Sequence, residues 1–115
     1  MSVRPIVNIA DLDMKPSRHG SRFESASGRI GGRIGMRDLG AQYIVLPPGK
    51  TGFPFHSHRN NEEMFIILEG TGEYRYGDAR YPVRAGDICS AVAGDASTAH
   101  QLINTGTVDL RYFAI

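Results

Sequence analysis

This chain of 115 residues contains one cysteine, Cys89, so no internal disulfide can brace it. A lone thiol in the apolar run "DICSAV" suits a reducing cytoplasm, and the residue is expected to be buried and inert. No apolar run reaches 18 residues, which excludes a spanning helix, and "MSVRPIVNIADLD" lacks the apolar centre of a secretory leader. Nor is there an excess of charge of one sign. The formal net charge is +1, so no global field draws the chain to nucleic acid or to an anionic membrane. The charge is uneven, however. Residues 1–37 carry seven Arg or Lys against Asp11, Asp13 and Glu24, leaving the remainder net acidic by three. That basic lead-in lacks the interleaved aromatics that stack bases, so nucleic acid is not an expected partner. A sustained helical period is missing as well.

What the sequence has is strand signal punctuated by glycine and proline. "AQYIVL" is β-rich and stops at Pro47-Pro48-Gly49, where proline removes a ladder donor and glycine permits a turn. "EMFIILEG" closes on Gly70. "GEYRY" and "ARYPVR" flank Gly77-Asp78 as a hairpin, and "DICSAV", "HQLIN" and "LRYFAI" follow. Short strands at this spacing predict one all-β sandwich or barrel rather than βαβ units. Residues 1–35 read as an irregular, partly extended N-terminal arm, and 36–115 as the β-barrel domain. "VNIADLD" reads as a short strand or turn. "GRIGGRIG" has neither the strand before it nor the helix after it that a phosphate loop requires, and reads as a turn.

The chemistry concentrates in "FPFHSHRNNEEMFIILEG". In an extended segment residues i and i+2 point the same way, so His56 and His58 project together. Imidazole is the commonest metal ligand, and a carboxylate on the next strand completes a facial set. Glu63 lies in phase with Phe65 and Ile67, whereas Glu62 is one residue out; the turn at "RNN" leaves both open. His19 reads as an exposed loop residue.

"HSHRNNEEMFIILEG" resembles the first motif of the cupin superfamily, a glycine before HxH, then a glutamate, then a glycine. Glu63 fits both spacings, with four residues between it and His58 and six between it and Gly70; Gly49 is the upstream glycine. Gly86, Gly94, His100 and Asn104 in "GDICSAVAGDASTAHQLIN" resemble the second motif. Two departures occur there: Val92 replaces a proline, and His100 arrives three residues late after Gly94. The link at 71–85 is short, as in small single-domain bacterial cupins. The resemblance covers about residues 40–115 and implies a double-stranded β-helix, or jelly-roll barrel. It also implies a divalent metal (Zn, Mn, Fe, Ni or Cu) held by His56, His58, Glu63 and His100.

Phe65, Ile67 and Leu102, in phase with ligands, and Tyr74 and Tyr76, on a neighbouring strand, are expected to line an apolar pocket for a small-molecule ligand. Tyr43, Tyr74, Tyr112 and Arg111 are the remaining acid–base candidates. The implied functions are a metal-dependent enzyme on a carbonyl, sugar or sugar-phosphate type molecule with isomerase-like Lewis-acid chemistry, a dioxygenase, or a non-catalytic binding module. Cupins commonly dimerise, which implies a homodimer with the N-terminal arm crossing over, and nothing suggests a membrane partner.

Overall fold

The computed structural model describes residues 3–115. Nine strands form two antiparallel sheets. In chain order these are β1 (Lys15–His19), β2 (Phe23–Arg29), β3 (Gln42–Leu46), β4 (Glu63–Glu69), β5 (Thr71–Tyr76), β6 (Ala79–Arg84), β7 (Ile88–Ala91), β8 (His100–Ile103) and β9 (Leu110–Ala114). The larger sheet runs β1-β2-β3-β9-β4-β7 and the smaller β6-β5-β8. This is the sandwich or barrel expected from the spacing of the strand signals, in the jelly-roll form that the cupin resemblance implied, with almost no helix.

Alternation explains the packing. Along β4, Phe65 and Ile67 are buried while Met64 and Leu68 face out. Tyr74 on β5 and Leu102 on β8 meet them from the smaller sheet, and Ile44, Leu46, Leu110 and Tyr112 complete the core. Beyond the strand pairings, single β-bridges from Phe23 to Thr51, Thr51 to Ile103 and His56 to His100 stitch the connections together. Gly70 shows why the first motif ends in glycine. Its φ is +91°, and a Cβ there would lie 2.5 Å from the Asp109 carbonyl oxygen.

The N-terminal segment divides in two. Asn8 caps a single 3₁₀ turn at Ile9–Asp11, so "VNIADLD" is a turn. Lys15–Arg29 then form a hairpin that joins the larger sheet of the same chain through β2 and β3. "GRIGGRIG" straddles the end of β2 and a 3₁₀ turn at Gly32–Ile34. No helix among the described residues is long and apolar enough to cross a membrane.

Candidate metal centre

The four residues expected as ligands meet at one end of the barrel. Their ligand atoms all lie within 4.8 Å of one another. Glu63 opens β4 and sits opposite Ala91, the last residue of β7. His100 opens β8 opposite Tyr76. His56 and His58 lie in the irregular segment between β3 and β4, which is bridged to its neighbours at Thr51 and, by the pairing with His100, at His56.

That irregular segment is anchored from several sides. Backbone N–H groups of His56 and His100 donate to each other's carbonyls at 3.2 and 2.7 Å. Gln101 Nε2 donates to the Phe53 carbonyl at 2.9 Å, and Thr51 Oγ1 donates to the Leu102 carbonyl at 2.7 Å. The Arg75 guanidinium lies 4.0 Å from the Phe55 ring centroid, which fixes the outer face of the segment. Thr51, Phe53, Phe55 and His56 are thus each tied to β5 or β8.

The second motif's long loop also delivers its histidine. Asp95 caps a 3₁₀ turn at Ala96–Thr98, accepting from the Ser97 N–H at 2.9 Å. Gly94 N–H donates to the His58 carbonyl at 2.8 Å, which ties this loop to the first motif. The late arrival of His100 is thus absorbed as one turn, and its ring lands 2 % exposed. Asn104 is fully buried and structural. Its amide donates to the Leu46 and Val108 carbonyls, and its oxygen accepts from Gly106 N–H.

Glu63 Oε1 is 2.5 Å from His58 Nε2, 3.3 Å from His100 Nε2 and 4.0 Å from His56 Nε2. His56 and His58 Nε2 atoms are 3.1 Å apart. Ligands each about 2.0–2.2 Å from one cation lie about 3–4 Å from each other, which is this scale. The hydrogen bonds on the far side of the rings agree. His56 Nδ1 sits 2.7 Å from the Pro54 carbonyl and His100 Nδ1 3.1 Å from that of Thr98. A carbonyl only accepts, so each Nδ1 carries the proton and each Nε2 presents its lone pair to the centre. The donor set fits a divalent cation. Without metal, a doubly protonated His100 donates from Nε2 to Glu63, and that hydrogen bond lowers the Glu63 carboxyl below its ordinary value, outweighing burial. Burial alone would lower His100, but Glu63 and the Thr98 carbonyl raise it.

The five expected pocket residues divide by depth. Phe65 and Tyr74 stand against the ligands, with ring centroids 5.7 and 6.5 Å from that of His100. Ile67 and Leu102 lie in the core cluster, and Tyr76 is half-buried beside Tyr74. The acid–base candidates are otherwise engaged. Tyr74 donates to the Ser90 carbonyl, and burial holds its phenol well above the usual value. Tyr112 is raised by burial too. Arg111 pairs with Glu69, at the end of β4 farthest from Glu63, and donates to Tyr43 Oη. Glu62, Arg29 and Arg37 were not singled out as pocket residues by spacing, yet they line the mouth. Glu62 faces a cavity of about 890 Å³ shared with His58 and Glu63. The end of β2 places Arg29 there and the folded loop at 30–41 brings Arg37 beside it, which no local pattern encodes.

Comparison with known proteins places the fold. An oxalate-binding protein of Thermotoga maritima is 34% identical over 72 residues, which is 63% of this chain and 56% of that protein. The chain thus spans little more than half the length of that relative. A crystal structure of a predicted oxalate decarboxylase from Thermotoga maritima superposes with a TM-score of 0.77 at 24% identity, covering 99% of this chain and 96% of the other. A sugar phosphate isomerase from Silicibacter pomeroyi gives 0.83 at 22% identity, over 96% and 73%. At such identities the structures speak for the fold alone. The family model described as the Cupin domain matches residues 42–115, from the first residue of β3 to the last of the chain. With that match over more than half of its length, the chain belongs to the cupin domain family.

Proposed function

We propose that the protein is a divalent-metal cupin that acts on a small oxygenated molecule of carbonyl, sugar or sugar-phosphate type, in the manner of an isomerase. The observation that carries this reading is the convergence of three Nε2 atoms and one carboxylate whose supporting hydrogen bonds already hold two of the rings in the ligating tautomer. A divalent cation there supplies Lewis-acid polarisation of a carbonyl or carboxylate oxygen. The metal is zinc, manganese, iron or nickel, since mixed nitrogen and oxygen donors suit each.

The residues of the chain do the rest. His56, His58 and His100 bind as neutral donors and Glu63 as the single anion. Phe65 and Tyr74 wall the inner side and keep water from it. Moving a proton between adjacent carbons needs a base that is not itself a ligand. Glu62, next in the chain to Glu63 and in the cavity that holds His58 and Asp38 as well, is the carboxylate assigned that role. The Silicibacter pomeroyi protein named a sugar phosphate isomerase shares the fold and supports the reading. A second reading, binding of a small dicarboxylate without turnover, is favoured by the 34% identical relative named an oxalate-binding protein.

The experiment is elemental analysis of purified protein, followed by deuterium incorporation from solvent into hydroxy-carbonyl substrates, with oxygen uptake recorded in parallel. Stoichiometric metal lost in His58→Ala, and exchange lost in Glu62→Gln with metal retained, are the expected results. Metal without exchange assigns the binding module, and oxygen uptake assigns a dioxygenase. Absence of metal from the native protein sinks the reading. We further propose a homodimer in a reducing cytoplasm, a placement supported by the single buried thiol.

A further inference from the structure

The segment richest in unused positive charge builds a wall beside the metal residues. The loop at 30–41 is closed at its base by Ile30 N–H donating to the Ala41 carbonyl at 2.8 Å. Within it, Met36 N–H donates to the Gly31 carbonyl at 2.9 Å. A Cβ on Gly31 would lie 2.7 Å from the Leu39 carbonyl oxygen, so the two limbs touch where only glycine fits. This fold carries Arg37 to the same cavity as Arg29, the last residue of β2. The cavity measures about 390 Å³, and Gln42 and Glu63 also line it.

Charge separates this cavity from its neighbour. Among the described residues neither Arg29 nor Arg37 forms an ion pair with a carboxylate. Glu63, assigned above to the metal, is the only carboxylate side chain in the lining. The adjoining cavity shares Leu39, Gly40 and Glu63 but adds Asp38 and Glu62, and holds no arginine or lysine. The arginines therefore line one chamber and Asp38 and Glu62 the other, with Leu39, Gly40, Glu63 and Ile115 between them. Guanidinium groups grip carboxylate and phosphate oxygens through paired N–H donors, and the Gln42 amide adds another.

We infer that the Arg29–Arg37 cavity is an anion subsite, which takes the carboxylate or phosphate at one end of a ligand whose other end reaches the metal residues. The near end of that ligand rests on the metal reading above; the anionic end does not. A cavity of this volume is within the range of small-molecule sites. The substrate class narrows to a short oxygenated molecule with an anionic terminus, and a neutral sugar or diketone is disfavoured.

The test is calorimetric titration of inorganic phosphate and of malonate into the full chain, metal-loaded and metal-free. Arg29→Ala and Arg37→Ala are each expected to weaken the preferred anion about tenfold. Arg37→Lys recovers part of that loss, and metal content stays unchanged. Both side chains are exposed, so the variants keep their fold, which circular dichroism verifies. His58→Ala is expected to lose metal yet retain the anion. A preference for phosphate assigns a phosphate monoester, and one for malonate a carboxylate. Unchanged affinity for both anions in the double arginine variant, or no binding by the metal-free protein, overturns the subsite while leaving the metal reading in place. Arginine-dependent binding in a protein that never takes metal upholds the subsite and removes the metal.

Discussion

Glu63 is the side chain through which the three histidines communicate, since one of its oxygens faces every ring. Without metal it pairs with His100, and the pair has a pH signature. The Glu63 carboxyl is lowered in the fold, so its contribution is present above the ordinary value of 4.5 and fades as pH falls through the lowered one. His100 is raised, so its contribution is present below 6.5 and fades as pH climbs through the raised one. Metal-free protein is therefore expected to exceed Glu63→Gln in melting temperature most between those two values. Metal competes with the proton on His100, so its affinity rises with pH; thermal melts and metal titrations across pH 4–8 check both. Cys89 gives a second expectation. Burial raises its thiol to about 11, so at pH 8 roughly one molecule in a thousand is thiolate and thiol reagents act slowly until the fold is opened by urea. The sequence could not choose between Glu62 and Glu63 by strand phase, because the irregular turn before them carries no period. In the structure Glu63 is the one grouped with the three histidines, the residue that the family spacing also pointed to.

At the level of elements, seven strands, β3 to β9, were legible as β-prone runs bounded by Gly, Pro and Asp, although only some of them bury alternate residues. β1 and β2 were not. "KPSRH" and "FESASGR" have no apolar alternation, and every residue of β1 is exposed. They are strands because β2 adds backbone hydrogen bonds to β3, a tertiary cause that local pattern does not record. The turn before His100 was visible only as an excess of residues. Its hydrogen bonds explain why the excess is tolerated: Asp95 Oδ1 accepts from the Ser97 amide and hydroxyl, and Thr98 Oγ1 donates to the Asp95 carbonyl. Asp95→Ala is expected to weaken metal binding about fivefold by loosening this cap, while Asp95→Asn stays close to wild type. A competition titration against a chromogenic chelator measures the ratio. Equal affinity of the alanine variant would show that the turn holds His100 without its cap.

Across the whole molecule, the fold has one end where three histidines and Glu63 gather and edges left open. β1 and β7 bound the larger sheet, and β1 presents both of its faces to solvent. Unpaired edges invite strand addition, which supports the proposed pairing of two chains. Light scattering is expected to give twice the monomer mass of 12.6 kDa, with amides of Lys15–His19 protected from exchange in the native protein. A monomer mass at high concentration would remove the dimer. Stability itself rests on the core between the sheets, where Leu46 is fully buried. Leu46→Ala is expected to cost about 2–5 kcal/mol in urea unfolding, whether or not metal is present at the mouth.

The Asp95 turn also bears on how fast the site trades its occupant. Ala96–Thr98 contain no buried residue, so the clasp on one side of His100 is polar and local, whereas the barrel is apolar and cooperative. Segments of that kind open many times for each global unfolding event. A cation held by the four residues would lose the support behind His100 whenever this one short turn lifts, without the barrel having to open.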